Sequence, residues 1–322
     1  MNVAKFRILD VTLRDGNHAL RHKLTIKDAQ AYCRRSVEAG FDYIEVGHGN
    51  GLGGSSLLIG ESKHSDKDLI SAVRASAPSV RLGVHVMPSF ATIRRDLVPA
   101  LSLGVDTFRI ASHCSEADTT EKHIKFIREN DSNAVGTLMM ISHLPPIDLV
   151  EEARKMVQYG AESVIFMDST GSLVPSDVRE LVSRAVGELD IPIGFHAHNN
   201  FGLAVANSLQ AIESGAATID GSIVGLGAGA GNAQLELLVA ALKKSNLDSG
   251  IELSHVMHLA IWATESGFVP SPPNSSPYSA LTGINNLFSG FLPIIKQYAN
   301  EYNVDIVDLI SVLGSRNLVA GQ

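Results

Sequence analysis

The sequence predicts an α/β chain, a (β/α)8 TIM barrel with a small α-helical C-terminal extension, and three observations predict it. Eight short runs rich in β-branched residues alternate with longer amphipathic stretches, their starts roughly 25 to 40 residues apart, the length of one β/α unit. Most of these runs are apolar throughout, as strands covered on both faces of a parallel sheet must be. Four of them share one form, AGFDYIEV, LGVDTFRI, YGAESVIF and SGAATIDG, each with an early glycine: Gly40, Gly104, Gly160 and Gly215. A glycine there suits the residue just past a helix, where φ is positive. The glycines recur about every 55 to 65 residues, two β/α units, which points to a closed barrel rather than an open sheet.

The candidate strands are, in order, Lys5–Asp10, Asp42–Gly47, Arg81–Val86, Asp106–Ala111, Val135–Ile141, Ser163–Asp168, Ile193–His198 and Thr218–Val224. Thr25 stands as N-cap before IKDAQAYCRRSVEAG. Pro175 and Ser176 open the helix after the sixth strand, with Asp177 in its first turn. After about Ser245 the pattern changes. Phe268–Tyr278, with its VPSPPNSSPY text, reads as a long loop, and helical stretches follow over Gly283–Tyr302 and Asp305–Leu313. The expected division is a catalytic barrel over residues 1–260 and a helical extension over 261–322.

Composition narrows the function. Hydrophobic residues make up 45% and charged residues 19%, enough apolar surface for a packed core. A net charge of −8 argues against a nucleic-acid binder. No run approaches the roughly 18 apolar residues of a membrane span, and MNVAKFRILDVTLRDG lacks the apolar run of a signal peptide. Two cysteines, Cys33 and Cys114, make no disulfide framework. The expectation is a reduced, soluble, cytoplasmic protein with no membrane partner.

Two stretches carry chemistry: DVTLRDGNH, Asp10 to His18, after the first strand, and FHAHNN, Phe195 to Asn200, at the seventh. Barrel active sites sit at the C-terminal ends of strands, so the fold brings the two to one mouth. His196 and His198, two apart on a strand, point to the same side. Two neutral imidazoles with Asp15 as third ligand make a facial set for a divalent metal and leave positions open to substrate. Two hydrogen-bonded core histidines are the plainer alternative. Arg14 suits a carboxylate or a developing enolate oxygen. His18 suits a general base or acid. Ser169, beside Asp168 after the sixth strand, suits a carboxylate. His48 lines the same mouth, and Cys114, after the fourth strand, reads as a buried neutral thiol. The glycines of GLGAGAGN, Gly225 to Asn232, do not fit a dinucleotide loop. They suit an anion cradle or a cover over the mouth. Asn232 caps the next helix or reaches the metal shell.

TLRDG with HAH resembles the family of metal-dependent aldolases and lyases that share those motifs. DVTLRDGNHALRH, EVGHGNGLGGSS, SHCSEAD, HAHNNFGLAVANS and GLGAGAGNAQLE resemble its 4-hydroxy-2-oxovalerate aldolase branch, over the barrel and more loosely into the tail. The resemblance implies a divalent cation held by Asp15, His196 and His198, with manganese the expected ion and magnesium or cobalt the alternatives. It implies cleavage of a 4-hydroxy-2-oxo acid into pyruvate and an aldehyde. Arg14 would stabilise the pyruvate enolate, His18 would take the 4-hydroxyl proton, and Ser169 would hold the carboxylate. No organic cofactor is implied. The expected partners are a small 2-oxo acid and further copies of the chain.

Three departures bear on the substrate. Phe288 stands where the family has a tyrosine aimed into the site. His85-Val86-Met87 stands where relatives carry mostly leucines, and His85 and Met87 would line the aldehyde end. A buried polar His85 wants a partner, which implies an aldehyde more polar than acetaldehyde. The tail NNLFSGFLPIIKQYANEY differs from the small-residue-rich tail that contacts an acylating aldehyde dehydrogenase in the family, which argues against carrying that partner over. Two other readings compete. A Claisen-type synthase joining an acyl-CoA to a 2-oxo acid usually carries Glu-Gln after TLRDG, where this chain has Asn17–His18, and a hydroxymethylglutaryl-thioester lyase is a more distant variant of it. A non-catalytic barrel subunit would not need Arg14, Asp15, His18, His196 and His198 together.

Overall fold

The computed structural model describes residues 5–269 and 276–316. Eight parallel strands close into a barrel in chain order: β1 Arg7–Asp10, β2 Tyr43–Glu45, β3 Arg81–Val86, β4 Thr107–His113, β5 Asn133–Met139, β6 Ser163–Asp168, β7 Ile193–Ala197 and β8 Thr218–Gly221. β8 returns to pair with β1, Thr218 opposite Arg7, so the barrel has no open edge. All eight expected strands are present, each within a few residues of its expected bounds. Eight helices surround them: α1 Ile26–Glu38, α2 Asp66–Ser76, α3 Val98–Ser102, α4 Glu121–Glu129, α5 Pro146–Gln158, α6 Pro175–Glu188, α7 Ala204–Glu213 and α8 Leu235–Lys244.

Local chemistry sets the element ends. Thr25 accepts the Asp28 N–H at 3.0 Å and caps α1. Pro175 occupies the first turn of α6, where its missing N–H costs nothing, and Asp177 accepts the Val174 N–H at 3.1 Å. The four repeat glycines all take positive φ, +102°, +77°, +107° and +100°, and end the helices before β2, β4, β6 and β8.

The barrel interior is layered. The stagger of such a barrel climbs one residue per strand, so each layer takes its side chains from alternate strands. Register places Glu45, Arg109, Ile165 and Asp220 of the even strands in one layer. Direct contacts agree: Arg109 Nη1 donates to Glu45 Oε2 at 2.9 Å and Nη2 to Asp220 Oδ2 at 2.6 Å. The next layer toward the C-terminal mouth holds Val11, His85, Thr137 and His196 from the odd strands. Above that layer, Gly47 and Ala111 follow along β2 and β4.

α9, Leu253–Glu265, buries Val256, Leu259 and Ala263 in the apolar core of the barrel. The tail departs from expectation. The helix expected over Gly283–Tyr302 is two, α10 Pro277–Ile284 and α11 Leu292–Glu301, and α12 Ile306–Gly314 follows. Asn286 takes φ +52° and the Leu287 N–H turns back to Thr282 O at 2.9 Å, which ends α10; Pro293 then starts α11. The expected loop ends earlier than Tyr278, because Ser276 caps α10 and Pro277 opens it; residues 270–275 lie outside the described residues. Leu287, Ile295 and Ile310 form a small apolar core of their own. Asn200 ties this tail to the mouth, its Nδ2 lying 2.7 Å from Ser289 Oγ, 3.1 Å from Ser279 O and 3.2 Å from Thr282 Oγ1. Among the described residues no helix is long and apolar enough to cross a membrane.

Candidate active site

Asp15, His196 and His198 come together at the mouth, their ligand atoms all within 4.8 Å of one another. Asp15 opens a 3-10 turn just past β1, with its N–H bonded to Val11 O at 2.9 Å. β7 delivers His196 on its inner face, and His198 follows directly. His196 Nε2 lies 3.6 Å and His198 Nε2 3.9 Å from Asp15 Oδ2.

The donor set fits a divalent cation. His196 Nδ1 lies 2.8 Å from Asp220 Oδ2, and a carboxylate only accepts, so Nδ1 carries the proton and the Nε2 lone pair is free. That Nε2 is buried without a protein partner. A carboxylate behind a histidine in this way fixes the tautomer of a metal ligand. Burial holds His198 down to about 4, so it is neutral at pH 7. Burial alone would raise Asp15, but the charge of Arg14, helped by the neighbouring imidazoles of His198 and His196, outweighs it and holds the carboxyl well below the usual carboxylate range. Asn232 donates to Asp15 Oδ2 at 2.6 Å and leaves its own Oδ1 buried without a partner. Its Nδ2 faces two acceptors, Asp15 Oδ2 and Leu226 O at 2.9 Å, which fixes the order of the amide atoms.

Arg14 is buried beside this cluster. Nη1 donates to Asp15 Oδ1 at 3.0 Å, Nε donates to Glu45 Oε1, and Nη2 has no partner. His18 Nε2 lies 3.9 Å from Asp15 Oδ1. Burial, against the pull of Asp15, puts His18 at about 4, so its imidazole is neutral and basic at pH 7. His22 lies edge-on to His18 at 5.0 Å and stacks on His48 at 3.7 Å.

The other expected residues vary in how free they are. His85 is 2% exposed and its ring makes no hydrogen bond; Nδ1 is fully buried. Met87 is buried just past β3. The Ser169 hydroxyl is already engaged, accepting the Met140 N–H at 3.0 Å, where Met140 sits at φ +58°. The Phe288 ring is edge-on to Phe291 at 5.9 Å, and the neighbouring Ser289 touches the mouth through Asn200. His48 is held by Gly60 O at 3.0 Å and the Asn50 N–H at 3.0 Å. Burial pushes the Cys114 thiol up to about 12, which keeps it protonated and inert. The residues that sequence reasoning missed are Glu45, Arg109 and Asp220. They stand at one position of the glycine repeat, the fifth residue after Gly40, Gly104 and Gly215, as charges in otherwise apolar strands.

Comparison with known proteins places the chain in a family. The HMGL-like family model matches residues 5–261, and a DmpG-like communication domain matches residues 274–322. A 4-hydroxy-2-oxovalerate aldolase from Pectobacterium atrosepticum is 48% identical over 99% of this chain and 92% of its own length. One from Spirochaeta aurantia is 48% identical over 98% of this chain and 92% of its own. The carboxyl transferase domain of Rhizobium etli pyruvate carboxylase, solved with pyruvate and biocytin, superposes with a TM-score of 0.79 at 17% identity, over 94% of this chain and 54% of that one, a likeness of fold alone. With near-complete coverage at such identity, the chain belongs to the HMGL-like family and, within it, to the 4-hydroxy-2-oxovalerate aldolases.

Proposed function

We propose that the protein cleaves 4-hydroxy-2-oxo acids into pyruvate and an aldehyde with a divalent cation, manganese in preference to magnesium or cobalt. The observation that carries this reading is the buried Asp15, His196 and His198 cluster beside the unpartnered Nη2 of Arg14. Asp15, His196 and His198 would hold the cation, with Asn232 Oδ1 as a further donor. Bound there, it supplies Lewis acidity toward the 2-oxo acid.

The chain's own groups handle protons and charge. Neutral His18 takes the proton of the 4-hydroxyl as C3–C4 breaks and its electron pair passes to the pyruvate half. Arg14 Nη2, desolvated and free, faces the oxygen on which enolate charge develops. Ser169 would share its hydroxyl between Met140 and the substrate carboxylate. Met87 and His85 would border the aldehyde half, with Phe288 near the tail side of the mouth. The match to a communication domain supports an aldehyde-consuming dehydrogenase as partner of the tail, despite the departures in its text. We also propose that the catalytic barrel ends near residue 260 and the helical extension begins there.

The test is pyruvate release from 4-hydroxy-2-oxopentanoate with added manganese and with a chelator. Release that the chelator abolishes is expected, and no release with any divalent metal would sink the reading. The role of His18 has its own test. A Cβ at Gly49 would lie 2.5 Å from His18 Cδ2, so Gly49→Ala pushes the ring aside. Release should fall roughly tenfold or more, within the range of general acid–base contributions, while bound metal stays at the wild-type level. An undiminished rate would remove His18 from the mechanism.

A further inference from the structure

Two buried polar side chains of the barrel interior have no hydrogen-bond partner among the described residues. His85 on β3 makes no hydrogen bond with either ring nitrogen, and Thr137 Oγ1 on β5 has no partner. A buried polar group left without a partner is costly, so both suit a ligand. Both face inward. His85 is in register with Arg109, which spans the interior, and Thr137 is in register with Ala111 two residues further along that strand. From outside, Gly136 backs onto Met156 of α5, where a Cβ would meet Sδ at 2.6 Å, so its neighbour Thr137 must turn inward.

His85 and Thr137 share their layer with His196, and β3 lies across the barrel from β7. Ala111, the next inward position of β4, presents only a methyl group. A substrate anchored at Asp15, His196 and His198 therefore extends its far end toward this pair. We infer that His85 and Thr137 form a hydrogen-bonding subsite for a hydroxyl group on the aldehyde half, which makes the preferred substrate a 4,5-dihydroxy-2-oxo acid and the released aldehyde a 2-hydroxyaldehyde. This rests on the aldolase reading and adds the substrate class to it.

The class follows from the chemistry of the pair. Burial first, then the nearby Arg14, keeps the His85 imidazole neutral. A neutral imidazole and a threonine hydroxyl each donate one hydrogen bond and accept others, as a hydroxyl does in return. They carry no charge of their own to pair with a second carboxylate. The reaction balances without a further reagent. The 4-hydroxyl loses its proton to His18, C4 becomes the aldehyde carbon, and the C3–C4 electron pair goes to C3, which takes up a proton to give pyruvate. The 5-hydroxyl leaves unchanged with the aldehyde.

The experiment compares kcat/KM for 4,5-dihydroxy-2-oxopentanoate with that for 4-hydroxy-2-oxopentanoate, which lacks only the 5-hydroxyl, in the wild type and in His85→Leu and Thr137→Val. A 4-hydroxy-2-oxo diacid is the third substrate. The wild type should favour the dihydroxy acid by about tenfold, the worth of a net hydrogen bond or two. His85→Leu should bring the ratio to unity or below, and Thr137→Val, close in shape and expected to fold, should lower it by about threefold. A wild-type ratio near unity, a ratio that neither variant moves, or a preference for the diacid overturns the inference and leaves the aldolase standing. Release of pyruvate from none of the three overturns both.

Discussion

Asp15→Ala should lose its metal and its pyruvate release together. The reasons are charge and geometry. Around the site Arg14 and Arg109 contribute +2, and Asp15, Glu45 and Asp220 contribute −3, a sum of −1 among buried groups, with His18 and His198 neutral. A divalent cation turns that sum to +1, and the carboxylate of a 2-oxo acid brings it to zero. Without Asp15 the bare site is neutral, the cation brings +2 into a low dielectric, and one of three ligands is gone. Loss of an outer-shell partner alone typically costs roughly 10–100-fold in metal affinity, so loss of this ligand should exceed about 100-fold. Titration of manganese into the metal-free protein, followed by calorimetry, reads it directly. Near-wild-type affinity in Asp15→Ala would remove the site assignment. An intact affinity without turnover would instead make Asp15 a catalytic group and place the ion elsewhere.

The clustering of Asp15, His196 and His198 was legible in the sequence because its signals are short-range. Two histidines two apart on a strand must share a face, and strand ends of a barrel share a mouth; His196, His198 and Asp15 needed nothing more. The strands were legible for the same reason, since a fully apolar run between glycines has few other places to go. The tail was less so. Gly283–Tyr302 carries helical periodicity throughout, and the break at Asn285–Asn286 depends on one residue at positive φ, which periodicity does not report. The status of Ser169 was also hidden, because its hydroxyl is taken by the Met140 N–H from a neighbouring strand's loop. Glu45, Arg109 and Asp220 were in view as a repeat position, but a charge within an apolar strand has meaning only once the stagger of the barrel puts the three in one layer. Their contacts join residues 64 and 111 positions apart in the chain.

Arg109→Met should be the most destabilising of the single substitutions considered. Arg109 is completely buried, and its guanidinium is held by Glu45 and Asp220, which in turn hold Arg14 and His196. Methionine fills similar length but leaves buried carboxylates without their counter-charge, a loss of about 3–5 kcal/mol when one partner of such a pair is removed. The pH dependence carries a sign that separates this from a packing defect. Burial would raise Glu45, but Arg109 first and Arg14 second outweigh it and hold the carboxyl at about 2. A folded pKa below the unfolded value, about 4.3, gives the wild type a contribution that is fully present above that value and lost as pH falls toward 2. In Arg109→Met the larger of the two opposing charges is gone, so burial gains on it and the Glu45 carboxyl rises. The variant's deficit relative to wild type should therefore shrink as pH falls from about 7 to about 4.5, as the released carboxyl takes up its proton in the folded state. Urea midpoints of both proteins across that window measure the deficit. A deficit constant with pH would assign the loss to volume and shape, and would leave the charged layer no electrostatic part in holding Arg14 and His196 at the mouth.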